Sequence, residues 1–187
     1  VRAGHNRFSN EQFNALFNPK GVVVAGASSH PGKFGFVTLH NLRAGGFQGV
    51  IAATKLDGED VLGFPTLTSL DALDQDSCDL LVVCTPPAAI DAMLPVAAAK
   101  GIKAVFMTTA GFGEAGEEGR KAQARLIERC NELGLLLAGP NGQGVVSPPS
   151  KLCAQIVGPN PPKGRVAVAS QSGNLVSSVL NHAVRSG

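Results

Sequence analysis

A chain of 187 residues that is 44% hydrophobic and 16% charged carries enough apolar mass for one substantial core, which argues against disorder. The formal net charge of +2 comes without any block of like charges, and Trp and Tyr are absent, so the clustered cations and stacking rings of a nucleic-acid partner are missing. No apolar run reaches the roughly 18 residues of a membrane span, and the first dozen residues lack the long apolar stretch of a secretory signal. Cys78, Cys84, Cys130 and Cys153 lie in or beside apolar runs with no C-x-x-C spacing. They read as free core thiols of a reducing, cytoplasmic compartment.

In chain order, Ser9–Phe17 predicts a short helix, with Ser9 or Asn10 as cap and Phe13, Leu16 and Phe17 on one face. Asn18-Pro19 ends it. "GVVVAG" from Gly21 predicts a buried strand, followed by a loop over Ala27–Gly32 and a helix over Phe34–Ala44. "VIAATK" from Val50 is a second strand, and Leu67–Leu73 a short element. "DLLVVCTP" from Asp79 is a third strand. Pro87–Ala99 predicts a helix that Pro95 kinks or divides. "KAVFMTT" from Lys103 is a fourth strand. Glu117–Leu133 is the most regular helix, with Ala122, Leu126, Cys130 and Leu133 on one face, a Glu117–Lys121 pair and Gly134 as C-cap. "LLLAG" from Leu135 is a fifth strand. Continuously apolar strands alternating with helices predict an α/β chain, with a Rossmann-like, doubly wound parallel sheet covered on both faces, over residues 1–145. Residues 146–163 contain five prolines and read as an irregular or hairpin-bearing linker. Residues 164–187, "GRVAVASQSGNLVSSVLNHAVRSG", predict a strand, a tight turn and a helix, the opening of a second α/β unit that is truncated or completed by a partner.

The glycine loop after the first strand departs from a NAD fingerprint. Gly26, Gly32 and Gly35 are spaced more widely than G-x-G-x-x-G, and the second strand ends in Thr54 and Lys55 where NAD sites place an acid for the ribose. A lysine there suits a phosphorylated ribose, Lys33 adds a second cation, and free N–H groups at the start of the Phe34 helix suit a pyrophosphate. NADP and coenzyme A both meet that description. An ATP P-loop does not, because Gly32-Lys33 is followed by Phe34 and not by a hydroxyl. The third, fourth and fifth strands end in "CTPP", "TTAGFGEAGEEG" and "AGPNGQG". These small, Gly- and Pro-rich ends share one edge of the sheet, where doubly wound folds bind ligands. Glu117 and Glu118 read as first-turn residues favoured by the helix dipole. No histidine has a convincing catalytic partner, and no metal-ligand spacing is present.

The segments "LFNPKGVVVAGASSHPGKFG", "TPP", "TTAGFGEAGEEG", "GPNGQGVVSP" and "VAVASQSGN", in that order, resemble the CoA-binding domain of the NDP-forming acyl-CoA synthetases, the superfamily of succinyl-CoA ligase alpha subunits and ADP-forming acetate–CoA ligases. The resemblance runs from about Leu16 to Gly187. It implies a Rossmann-like CoA domain followed by a flavodoxin-like ligase domain, and coenzyme A as cofactor. It also implies an ATP-grasp domain or subunit as partner, and thioester formation through acyl phosphate and phosphohistidine. Carried onto this chain, Gly26, Ser28, Lys33 and Gly35 hold the nucleotide portion of the cofactor, with Thr54 and Lys55 beside it. Thr85, Pro86 and Pro87 line adenine and pantetheine, Thr109 and Ala110 the pantetheine arm, and Pro140 and Asn141 the thiol end. Ser170, Ser172 and Gly173 match a phosphate-binding turn. The family usually has cysteine after "GPN", where this chain has Gly142, and His182 does not match the phosphorylated histidine. No catalytic residue is assigned, and the chain alone is expected to bind coenzyme A without completing the reaction. Three other readings are an NADP-dependent oxidoreductase fragment, a stand-alone CoA or acyl-CoA regulatory module, and a structural or interaction module.

Overall fold

The computed structural model describes residues 8–158 and 160–186, so much of the amino-terminal stretch expected not to be a secretory signal lies outside them. Helix α1 spans Asn10–Phe17. The Ser9 hydroxyl accepts the Gln12 N–H while the Gln12 side chain accepts the Ser9 N–H, a capping box. Five strands form one parallel sheet: β1 Gly21–Ala25, β2 Val50–Thr54, β3 Leu80–Val83, β4 Ala104–Met107 and β5 Leu136–Ala138. Their spatial order is β2-β1-β3-β4-β5. The chain therefore winds outward from β1 in both directions, and the order reverses between β1 and β3.

The sheet is buried because both of its faces are covered. Side chains alternate along each strand. Val22, Val24, Leu80 and Val82 face Leu16 of α1 and Leu39 and Leu42 of α2, which spans Phe34–Ala44. Val23, Ala25, Leu81 and Val83 face the other way. They meet Ile90 and Leu94 of α3 (Ile90–Ala99) and Leu126 and Cys130 of α4 (Glu117–Glu132). Each fully buried Val, Leu or Ile contributes about 1.5–3 kcal/mol. Continuous apolar strands are what two-sided burial demands.

Three expectations are refined. The Pro87–Ala99 segment divides at Ala89, where a 3₁₀ turn over Pro87–Ala89 passes into α3; the helix then runs through Pro95. The short element expected at Leu67–Leu73 is a bridge from Leu67 to Thr54 and a 3₁₀ turn over Leu70–Ala72. The proline-rich segment carries a hairpin: β6 Gly144–Ser147 pairs antiparallel with β7 Leu152–Gln155. Pro148 and Pro149 occupy the turn between them, where a missing N–H costs nothing. The hairpin is docked, since Leu152 and Ala154 belong to the core, Asn41 Nδ2 donates to Gln155 O at 2.8 Å, and Ser150 Oγ donates to Phe17 O at 2.8 Å.

One expectation fails. The strand predicted in "GRVAVAS" is not formed; residues 165–169 have no regular structure, with Val166 88% exposed. A strand needs a neighbour to take its backbone N–H and C=O groups, and among the described residues no strand pairs with this segment. The helix expected after it is present as α5, Gly173–Ser186, and it has no buried residue.

Candidate functional site

The carboxyl ends of the five strands make one hydrogen-bonded rim that follows the strand order. At the β2–β1 step, the Gly26 and Ala27 N–H groups both donate to Thr54 O, at 3.2 and 2.8 Å. At the β1–β3 step, Gly26 lies against Cys84 and Thr85. A Cβ on Gly26 would sit 3.0 Å from the Cys84 carbonyl and from Thr85 Cγ2, and its φ of +85° is the left-handed region that favours glycine. At the β3–β4 step, Thr109 Oγ1 donates to Thr85 O at 2.7 Å. At the β4–β5 step, the Asn141 N–H donates to Thr109 O at 3.0 Å. Four strand spacings of about 4.8 Å give a rim about 19 Å long, suited to an extended ligand.

The loop after β1 is held by its own side chains and leads into an uncapped helix start. Ser28 Oγ accepts the His30 N–H at 3.1 Å, and His30 Nδ1 accepts the Gly32 N–H at 3.0 Å. Lys33 is the exposed N-cap of α2, and no side chain caps that helix. The first N–H groups of α2 therefore remain available at a helix end that carries partial positive charge. Gly35 makes the close approach possible, because a Cβ there would lie 2.0 Å from Gly26 O. The second cation expected at this end is not free: Lys55 Nζ is ion-paired with Asp57 and, at 2.9 Å, with Glu59. Its hydrogen bond to Asp57, then that to Glu59, holds the Lys55 pKa above its ordinary value, and Lys55 holds the Asp57 carboxyl below its own.

Beneath the rim, Cys84 is a thiol contacted by the Thr38 and Thr108 hydroxyls, and burial pushes its pKa up. All four cysteines are free thiols; burial raises Cys78 and Cys130 to about 11, so none is a ready nucleophile at neutral pH. Thr85 Oγ1 is buried with no hydrogen-bond partner among the described residues. This hydroxyl lies at the reversal point of the doubly wound sheet, the place where such folds bind ligands. Pro86 and Pro87 stand exposed beside it, and Gly111 of the β4 loop approaches Pro87. Glu114 does not face a reacting group: its carboxylate accepts the Gly111 and Phe112 N–H groups, and the Gly111 bond above all holds its pKa below the ordinary range.

At the β5 end, Gly139 and Asn141 adopt positive φ around Pro140. Gly142 lies against Phe106; a Cβ at that position would be 2.5 Å from Phe106 Cζ, so the ring fills the space a cysteine would need. Gln143, which the residue reading did not single out, joins this loop to the second glycine turn. Its Oε1 accepts from Ser177 Oγ at 2.8 Å, and a Cβ on Gly173 would lie 2.4 Å from its amide. In that turn Ser172 caps α5 by accepting the Leu175 N–H at 3.3 Å, and Ser170 Oγ accepts the Ser172 N–H at 3.0 Å. His182 lies two turns further along α5, beside Ser186. A surface hollow of about 380 Å³ between Gln12 and Gly134 opens at the amino ends of the strands, away from the rim. Its lining carries no charged group, and the rim is the better candidate because its unpaired polar groups converge there.

Residues 20–148 match the family model described as a CoA-binding domain. The alpha subunit of the ADP-forming acetate–CoA ligase I of Pyrococcus furiosus is 37% identical over 86% of this chain, which spans 36% of that subunit. A crystal structure of a Pyrococcus horikoshii protein superposes with a TM-score of 0.85 at 32% identity, covering 92% of this chain and 39% of that one. The dinucleotide-forming acetyl-coenzyme A synthetase 1 of Ca. Korarchaeum cryptofilum, solved with phosphate and ADP, superposes with a TM-score of 0.80 at 26% identity, covering 94% of this chain and 37% of its own. The chain thus spans little more than a third of the length of these relatives. It belongs to the CoA-binding domain family found in NDP-forming acyl-CoA ligases and succinate–CoA ligase alpha subunits, and that membership supports coenzyme A as its ligand.

Proposed function

We propose that this chain is the coenzyme A-binding portion of an NDP-forming acyl-CoA synthetase, which makes a thioester from a carboxylic acid, coenzyme A and a nucleoside triphosphate. The observation that carries this reading is the continuous rim from Thr54 to Asn141, with the orphaned Thr85 hydroxyl at its reversal point. The pyrophosphate lies at the start of α2, held by N–H groups and by Lys33, with Ser28 and Gly26 shaping the loop. Thr54 and Lys55 flank the ribose. Thr85 Oγ1 gains a partner from the ligand, Pro86 and Pro87 give it an apolar wall, and Thr109 and Ala110 guide the pantetheine arm. Pro140 and Asn141 hold the thiol end.

Coenzyme A supplies the thiol that takes the acyl group. The Gln143 contact to α5 supports a further role for Ser170, Ser172 and Gly173: their turn presents N–H groups to the phosphate of an acyl phosphate or phosphohistidine, close to the thiol end. The nucleotide-binding ATP-grasp domain, the phosphorylated histidine and the rest of the ligase domain come from partner segments, which fits a chain that spans about a third of its relatives. The acyl-phosphate and phosphohistidine steps require those segments, so the chain alone binds and does not turn over.

Calorimetric titration tests this. Coenzyme A binds, NADP and NAD do not, and Lys33→Ala weakens binding about tenfold, the loss of one charge-assisted contact. NADP binding tighter than coenzyme A would overturn the reading in favour of an oxidoreductase fragment. No binding of any nucleotide would leave an interaction module.

A further inference from the structure

The turn after β2 carries an inference that rests on the coenzyme A reading. Lys55 sits where the second strand of a doubly wound nucleotide site meets the ribose. Its side chain is only 15% exposed, and its ammonium is held by the Asp57 and Glu59 carboxylates, so the three groups together carry one negative charge. The acids are built into the turn. The Gly58 N–H donates to Lys55 O at 3.0 Å, and the Glu59 N–H to Asp57 Oδ1 at 3.0 Å. The turn is also tied to the neighbouring segment, since the Lys55 N–H donates to Leu67 O at 2.9 Å and Thr66 Oγ1 to Glu59 O at 2.9 Å. A phosphate on the ribose carries about two negative charges at neutral pH. It would arrive at a cation whose charge is already met, with two carboxylates beside it.

We propose that Asp57 and Glu59 are specificity-determining residues: as internal counter-ions of Lys55 they tax any ligand whose ribose bears a phosphate. A bound ribose phosphate finds only the third N–H of the Lys55 ammonium open, beside two carboxylates, unless Lys55 leaves one of them. A ligand without that phosphate leaves the triad intact. The site therefore gains less from the ribose phosphate than its lysine alone would suggest, and most of its affinity comes from the pyrophosphate end and the pantetheine arm.

Paired titrations of coenzyme A and dephospho-coenzyme A, which differ only in the ribose phosphate, measure this directly. In Asp57→Asn/Glu59→Gln, affinity for coenzyme A rises about tenfold and that for dephospho-coenzyme A changes less than twofold. Adding Lys55→Met to the double variant removes the gain. The more exposed Glu59→Gln alone gives about threefold, and serves if the double variant does not fold. A general charge effect or a loosened turn would move both ligands alike, and an equal change in the two affinities overturns the proposal. So does a fall in coenzyme A affinity, which would show that the acids aim Lys55 at the ligand. Binding of neither ligand by the wild-type chain overturns the coenzyme A reading itself, and this proposal with it.

Discussion

Single residues set the shape of the rim through what they lack. Gly26 and Gly35 have no side chain, and the first turn of α2 rests directly on the backbone that leaves β1. That contact brings the free N–H groups of the helix to the point where the sheet order reverses. Gly35→Ala would place a methyl 2.0 Å from Gly26 O, so the helix must lift from the loop. The expected result is a loss of about 1–3 kcal/mol in urea denaturation, as for other overpacked sites, together with loss of coenzyme A binding. Unchanged stability would mean that α2 shifts freely, and that this close approach is not what builds the anion end. Thr85 is the converse case, a buried hydroxyl left without a partner among the described residues.

Among the elements, the β6–β7 hairpin is the one whose weight is least apparent from its composition. Pro148 and Pro149 fill its turn and Gly142 and Gly158 flank it, yet Leu152 and Ala154 are fully buried against α2 and the sheet. Leu152→Ala is expected to cost about 2–5 kcal/mol, measured from the shift of the denaturation midpoint, because the surrounding core cannot close the space. A cost below about 1 kcal/mol would place the hairpin among peripheral loops. The helices also differ in what holds them. Leu126 and Cys130 anchor α4 in the core, whereas α5 keeps an exposed Leu175 and Val184 and touches the domain through Gln143.

On the scale of the whole molecule, the chain divides by burial into a packed region up to the hairpin and a lightly held carboxyl-terminal segment. Every residue from Lys163 to Gln171 is exposed. Brief digestion with a protease of broad specificity is therefore expected to cut first between Ile156 and Ser172, leaving a product that retains the cooperative thermal transition. First cuts within the β1–α2 or β4–α4 loops would show instead that the rim opens before the tail. Among the described residues no helix is long and apolar enough to cross a membrane.

The sequence by itself determined the sheet, its helices and the edge on which the candidate site is read. Four- and five-residue apolar runs flanked by helical periodicity admit little except a parallel sheet covered on both sides, and Phe34–Ala44 is found with the bounds its pattern predicts. Family motifs in "GASSHPGKFG" and "GPNGQG" were legible because Gly26, Gly35, Gly139 and Gly144 each answer a local backbone demand, a positive φ or a close backbone approach. Tertiary structure alone decided the rest. Lys55 reads as a free cation until the turn folds Asp57 and Glu59 onto it. Thr85 reads as one of several threonines until its neighbours leave its hydroxyl without a partner, and Gln143 as a loop residue until α5 comes to rest against it. The predicted strand in "GRVAVAS" needed a sheet edge that these residues do not meet. Periodicity records which face of an element is buried; pairing of charges, satisfaction of a hydroxyl and the existence of a strand partner depend on residues brought together from elsewhere in the chain.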